Sequence, residues 1–334
     1  MFKRHWDAGL DFASGQARLA WVRNRRRDTK LIGFQSIRMP PGLVEAGTMT
    51  DPVGVGDELR GWIQDLGLVG SRTVVAVPGP QAYMCRITMP RLRWSELKQA
   101  VYYQAYEFLP IPVEETAMDI FPIRRFQDSQ GKKVELFFAA VRQQQVDDMI
   151  LACTRAGLKP VVMEIEPLAL RRAWGGDVAQ TIMLLQTSSA HPYLTIFVKG
   201  VPIYHRSLTL GAIRDRLSEL QESSMFSSPA MAGEGPDGSG VDLAADLIEQ
   251  VQDAVDYCNQ HHEGTPMQLE GLILDAGLGM PGLESQLAQG LNLPVELAGQ
   301  RAAARINVPE GLTSQQRHEL EQDFALALGL AMRR

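Results

Sequence analysis

The sequence predicts an α/β protein of two duplicated halves, with a smaller α+β module inserted into the first. Three observations carry this expectation. A three-stranded meander opens the chain and recurs about 175 residues later, a duplication on the scale of a domain. Continuous apolar runs such as 73–77 read as strands buried on both faces. Between the meanders, residues 79–166 carry their own strand–helix–strand–strand–helix–strand order, the pattern of a compact α+β unit.

Residues 8–22 alternate like a half-buried strand broken by a turn at 13–16, and 30–38 follow a polar turn at 23–28. Helical spacing of Leu59, Trp62, Ile63 and Leu66 predicts a helix over 57–66, closed by Gly67. Within the module, 84–88 is a strand and the next helix is bracketed in sequence. Ser95 is placed as its N-cap. Leu97, Val101, Ala105, Phe108 and Leu109 recur at helical spacing, and Pro110 ends it. Strands at 117–125 and 134–141 flank a polar turn, and a helix over 146–156 leads to a strand at 161–166. The second meander is placed at 181–185, 193–198 and 202–208. Residues 223–240, rich in Ser, Pro, Gly and Met, read as a mobile loop. A helix over 243–258, a strand at 269–274, a turn at 277–282, a helix over 283–290 and a strand at 294–297 follow. One terminal helix is expected over 314–332, capped by Thr313.

Composition excludes several classes. With 334 residues the chain can bury a large core. A net charge of −6 argues against a general nucleic-acid binder, which would carry a basic excess. Cys85, Cys153 and Cys258 are distant and odd in number, so neither a disulfide framework nor a structural zinc site is expected. His261 and His262 read as a solvated turn past a helix end. No signal core opens the chain and no apolar run spans a membrane, so a cytoplasmic location is expected.

The segment Val77-Pro78-Gly79-Pro80, then Arg86-Ile87-Thr88-Met89-Pro90, Glu96-Leu97 and Glu107-Phe108-Leu109-Pro110-Ile111-Pro112-Val113-Glu114-Glu115, resembles the PilM family. These are actin-like cytoplasmic components of type IV pilus assembly. Ala156-Gly157-Leu158-Lys159-Pro160, with Ile165-Glu166-Pro167, looks like that family's exit from its inserted module. The resemblance spans nearly the whole chain, strongly over 73–170 and weakly over 205–260. It implies an actin-like (RNase H-like) two-domain fold with duplicated halves and an SHS2-like α+β module. The first domain would take 1–78, 167–180 and 324–334, the module 79–166, and the second domain 181–323.

The resemblance also locates a nucleotide site and its alterations. Asp11, Ser14, Gly15, Gln16 and Arg18 match the family's first phosphate turn, but its first Gly is Ala13 here, where a Cβ would crowd a phosphate if positive φ were needed. The second turn has Gln186-Thr187-Ser188 where the family has Asp-Ile-Gly, losing a carboxylate that helps hold hydrated Mg²⁺. The nucleoside turn keeps Gly277 but has Asp275, whose charge repels phosphate. The altered turns argue against a resident cofactor, with ATP and magnesium as the alternative. Asp11 reads either as a Mg²⁺-proximal acid or as a turn residue left from that role, and Glu166 as an ordinary strand-end carboxylate ahead of the water-orienting group that the resemblance would place there.

The expected function is then a scaffold. The resemblance implies that a short cytoplasmic N-terminal peptide of a PilN-like inner-membrane protein docks beside the module. Tyr102, Tyr103, Tyr106 and Leu109 are the candidate contacts, because aromatic side chains suit peptide anchoring. Two other readings are an ATP-driven actin-like ATPase or switch, and the cytoplasmic component of type II secretion, which normally continues into a membrane span. The basic cluster Arg23, Arg25, Arg26 and Arg27 reads as a solvated hairpin tip that also blunts edge pairing.

Overall fold

The computed structural model describes residues 7–13, 15–25, 28–45, 47–187, 192–208, 243–261, 267–275 and 282–333. The expected loop at 223–240 lies outside them. In the first half, β1 (Asp7–Ala13), β2 (Gln16–Arg25) and β3 (Asp28–Arg38) form the antiparallel meander. On the other side of β1, β6 (Arg72–Val77) and β10 (Lys159–Ile165) add in parallel, giving the order β10-β6-β1-β2-β3. A short hairpin, β4 (Val44–Glu45) with β5 (Thr48–Met49), precedes α1 (Pro52–Asp65). That helix begins five residues before the expected 57. Asp51 caps it by accepting from the Gly54 N–H at 2.9 Å, with Pro52 in the first turn. Gly54 and Gly56 hide this first turn from an apolar pattern, and a Cβ on Gly56 would lie 2.9 Å from the Ala152 carbonyl.

The second half repeats the topology strand for strand. β11 (Ile182–Gln186), β12 (Tyr193–Val198) and β13 (Val201–Ser207) are its meander, with β14 (Gly271–Asp275) and β15 (Val295–Leu297) parallel beyond β11. Lys199 (φ 52°) and Gly200 (φ 75°) make the two-residue hairpin turn, whose positive φ values match strand twist. Outside the sheet lie α5 (Leu243–His261) and α6 (Leu283–Leu291). His261 closes α5 rather than following it, and His262 lies outside the described residues. No helix among the described residues is long and apolar enough to cross a membrane.

The module's sheet runs β7 (Tyr83–Pro90), β9 (Gly131–Arg142), β8 (Thr116–Asp128). One face buries Leu136 and Phe138 against Leu97, Val101 and Ala105 of α2 (Trp94–Ala105). The other face sends Phe137 and Val141 into the core of the first half. The helix and strand expected to complete the module instead leave it. α3 (Gln143–Arg155) packs on α1 through Ala152 and Met149, and β10 joins the first-half sheet. Ser95 is not the N-cap of α2. Arg93 occupies that position, and Glu96 reaches back to accept from its N–H at 3.0 Å. The helix also ends at Ala105, not Leu109. Glu107 and Phe108 close a tighter turn onto Gln104 and Ala105, because Pro110 drives the residue before it away from helical angles.

Two short helices escape apolar periodicity, α4 (Glu166–Trp174) and α7 (Ala298–Ala304). The terminal helix is two, α8 (Ser314–Asp323) and α9 (Ala325–Ala331). Thr313 caps the first as expected, in a reciprocal pair with Gln316. The break falls at Phe324, which is fully buried and meets Phe34 edge-on at 4.9 Å. A polar surface helix must there become an entirely buried one. α9 lies between β1 and α4, so close that a Cβ on Gly9 would stand 2.1 Å from the Ala327 carbonyl and one on Gly329 2.1 Å from the Ala169 carbonyl.

That contact predicts a contrast between two glycines. Gly9→Ala should lower the urea midpoint by an amount worth about 1–3 kcal/mol through overpacking. Gly61→Ala, which meets open space on exposed α1, should raise it slightly.

Candidate functional site

The carboxyl ends of the parallel strands of both sheets converge where the halves meet, the place at which open α/β sheets take ligands. Asp11 stands near the end of β1, Asp275 ends β14, and Glu166 follows β10 as the first residue of α4. All three are buried. Each comes from an apolar strand end, so the sequence that builds the two cores also delivers the acids to the junction. Gly79, just after β6, donates its N–H to Glu166 Oε2 at 2.9 Å. On its other side Gly79 faces the ring of Tyr193, where a Cβ would come within 2.8 Å of the ring edge. Tyr193, from β12 of the second half, is fully buried and stacks obliquely on His205 with ring centroids 5.1 Å apart. His205 Nδ1 lies 2.8 Å from Thr195 Oγ1, its partner in register across β12–β13.

Burial dominates the electrostatics. It pushes the Asp11 carboxyl up to about 7, with Arg18 opposing and Asp275 and Asp323 reinforcing. It pushes Glu166 up to about 8 against the stabilising Gly79 bond, with Asp11 and Asp275 adding to the rise. The Tyr193 phenol is held far above its ordinary value by burial first and the Glu166 charge second. His205 is held down to about 4 by burial, with the Gly79 backbone opposing. At pH 7 Glu166 therefore keeps its proton, Asp11 is about half protonated, and His205 is neutral.

Of the expected nucleotide residues, Asp11, Gly15, Gln16 and Arg18 share the β1–β2 hairpin. Gly15 (φ 71°) takes the left-handed position of the β1–β2 turn, and β1 ends at Ala13. Gly15 and Gln16 stand at the hairpin tip, while Ser14 and Gly277 lie outside the described residues. Asp11 pairs in register with Arg18, yet Arg18 ion-pairs with Asp323 of α8 at 3.5 Å. Neither Asp11 oxygen has a hydrogen-bond partner among the described residues. Sequence reasoning missed Tyr193, His205 and Gly79. One signal was available: Tyr193 stands across from Gln186 as Arg18 stands across from Asp11, so the duplication replaces a charged pair with a neutral one.

The second candidate surface is on α2. Tyr103 is 62% exposed and Tyr106 51%. Both meet Tyr102 edge-on at 5.8 Å, and Tyr102 itself leans on the module core. The Tyr106 hydroxyl donates to Glu114, which raises the phenol and lowers the carboxyl. Leu109, like Tyr102, is half-buried against the module core. Trp94, also exposed, carries Lys98 Nζ over its ring at 5.5 Å.

The family model for type IV pilus assembly protein PilM matches residues 9–220. A chain of a PilM–PilN type IV pilus biogenesis complex superposes with a TM-score of 0.77 at 22% identity, over 98% of this chain and 97% of that one. The cytoplasmic domain of EpsL, an inner-membrane component of the Vibrio cholerae type II secretion system, gives 0.47 at 8% identity over 94% and 93%. MreB5 of Spiroplasma citri bound to ADP gives 0.46 at 10% identity over 90% and 94%. The superposition on the PilM–PilN complex chain, with the two sheets of matching topology, bears out the expected actin-like fold.

The junction predicts how stability depends on pH. Unfolded, the two acids ionise near their ordinary 3.8 and 4.5, whereas the fold holds their protons to about 7 and about 8. Stability must fall as pH rises through that window. His205 acts in the opposite sense below 6.5, where only the unfolded imidazole gains a proton, so it offsets part of the fall. The steepest loss is therefore expected between about pH 6.5 and 8, worth about 2–3 kcal/mol from the two acids. Urea midpoints across that range should show it, and an Asp11→Asn/Glu166→Gln double variant should flatten it.

Proposed function

The chain belongs to the PilM family of type IV pilus assembly proteins, and on that premise we propose that it is a cytoplasmic binding scaffold. It sits at the inner membrane by docking the short N-terminal peptide of a PilN-like membrane protein. The observation that carries this reading is the exposed tyrosine face of α2, with Tyr103 and Tyr106 largely in solvent on a helix whose opposite face is anchored in the module core. Rigid aromatic side chains offer contact area at little entropic cost, which is what recognition of a short apolar peptide needs. The solved relative is itself described as a PilM–PilN complex.

One observation favours the nucleotide reading: the Asp11 carboxylate is buried without a hydrogen-bond partner, as an acid facing a hydrated cation would be. The surrounding residues do not fit ATP and magnesium. Arg18 is engaged by Asp323, and Gln186 stands where a second carboxylate is needed. The nucleotide site is accordingly read as degraded.

A fluorescent peptide copying the N-terminus of the PilN-like partner tests the scaffold reading by anisotropy. Tyr103→Ala and Tyr106→Ala should each weaken binding by roughly tenfold or more, with the melting temperature unchanged. Tyr106→Phe, which loses only the bond to Glu114, should bind nearly as the parent. Equal affinity for all variants would remove the α2 face from the account, and no binding by the folded parent would remove the scaffold reading.

A further inference from the structure

A second surface, on the outer side of the second half, has no part in the reading above. Between α5 and α6 lies an open groove of about 480 Å³. Val251 and Leu269 form its buried floor, and Val255, Met267, Leu291 and Leu293 are half-exposed along its walls. Its rim carries Gln252 and Asp256 of α5. Half-exposed apolar side chains around a concave surface suit an apolar anchor better than water.

The charge around this groove has one sign. On α5, Asp246, Glu249, Asp253 and Asp256 recur at three- and four-residue spacings, which puts them on one side of the helix. Like charges at those spacings destabilise a helix, and α5 carries no Lys or Arg to offset them. The bias is regional: no Lys or Arg occurs anywhere between Arg216 and Arg301, while Asp and Glu recur throughout. Cations are therefore concentrated in the rest of the chain. An acidic stripe beside an apolar groove is complementary to a helix with an apolar seam flanked by basic residues.

We propose that the α5–α6 groove docks a basic amphipathic helix of a partner protein, its apolar side chains entering between Val255 and Leu293 and its Lys or Arg residues facing Asp253 and Asp256. This site is separate from the α2 face, so both can be occupied at once and either can fail alone.

The probe is a synthetic helix with Leu on one face and Lys on the other, compared with its Glu-for-Lys counterpart, on the full chain. The Lys peptide should bind at least about tenfold more tightly than the Glu peptide and lose affinity as salt rises. Asp253→Lys/Asp256→Lys should cost at least about tenfold with the melting temperature kept. Met267→Gln, a milder change in the groove wall, should weaken the same peptide without altering the charge. Amide exchange should slow at 251–256 and 267–269 when it binds. Equal binding by the charge-reversed chain, or protection elsewhere, overturns the proposal. So does self-association of the parent that the reversal abolishes while the Lys peptide fails to bind, which assigns the face to a second copy.

Discussion

A buried hydrogen bond 87 residues long in sequence holds this architecture together, from the Gly79 N–H to Glu166. Gly79 is where the chain leaves the first-half sheet for the inserted module, and Glu166 is where α4 takes it up after the return through β10. The bond pins exit to return. Because Gly79 lacks a Cβ, the ring of Tyr193 packs directly on the same point, bringing the second half to it. The surrounding core is mixed accordingly: Val74 and Ala76 of β6 pack with Ile182, Leu184 and Phe197. A buried acid is costly when ionised. Glu166 stays protonated near neutral pH, which lets a polar group serve as a joint inside an apolar core.

The same constraint explains why the halves differ despite their common topology. In the first, the position beside the turn carries Asp11 opposite Arg18; in the second, it carries Gln186 opposite Tyr193. The neutral pair frees Tyr193 to fill the space at Gly79. In the first half burial lifts the Asp11 carboxyl and Arg18 is drawn instead to Asp323, next to the break at Phe324 where α9 begins. Topologically equivalent positions thus form a packed joint on one side and a helix anchor on the other. Surfaces remote from that joint, on α2 and along α5, then become the places where binding can act.

The duplication was legible in sequence because the meanders are written in strand alternation and turn residues, which are local signals. The module's sheet and the Thr313 cap were legible for the same reason. Helix ends set by tertiary contact were not. The first turn of α1 holds two glycines, one of them, Gly56, packed on α3, α2 has Arg93 rather than Ser95 at its N-cap, and the terminal helix breaks at the buried Phe324. At the site, Asp11 and Arg18 were found through their turn. Gly79, Glu166, Tyr193 and His205 meet only in three dimensions, and no spacing along the chain announces that meeting.

The central claim is that the meeting place of the halves is a protonated structural joint and not a phosphate site. Titration calorimetry with Mg-ATP at millimolar concentration tests it most directly, since a dissociation constant of 1 mM corresponds to only about 4 kcal/mol of binding. The account predicts no saturable heat. A saturable isotherm that Asp11→Ala abolishes, with the protein still folded, would contradict it.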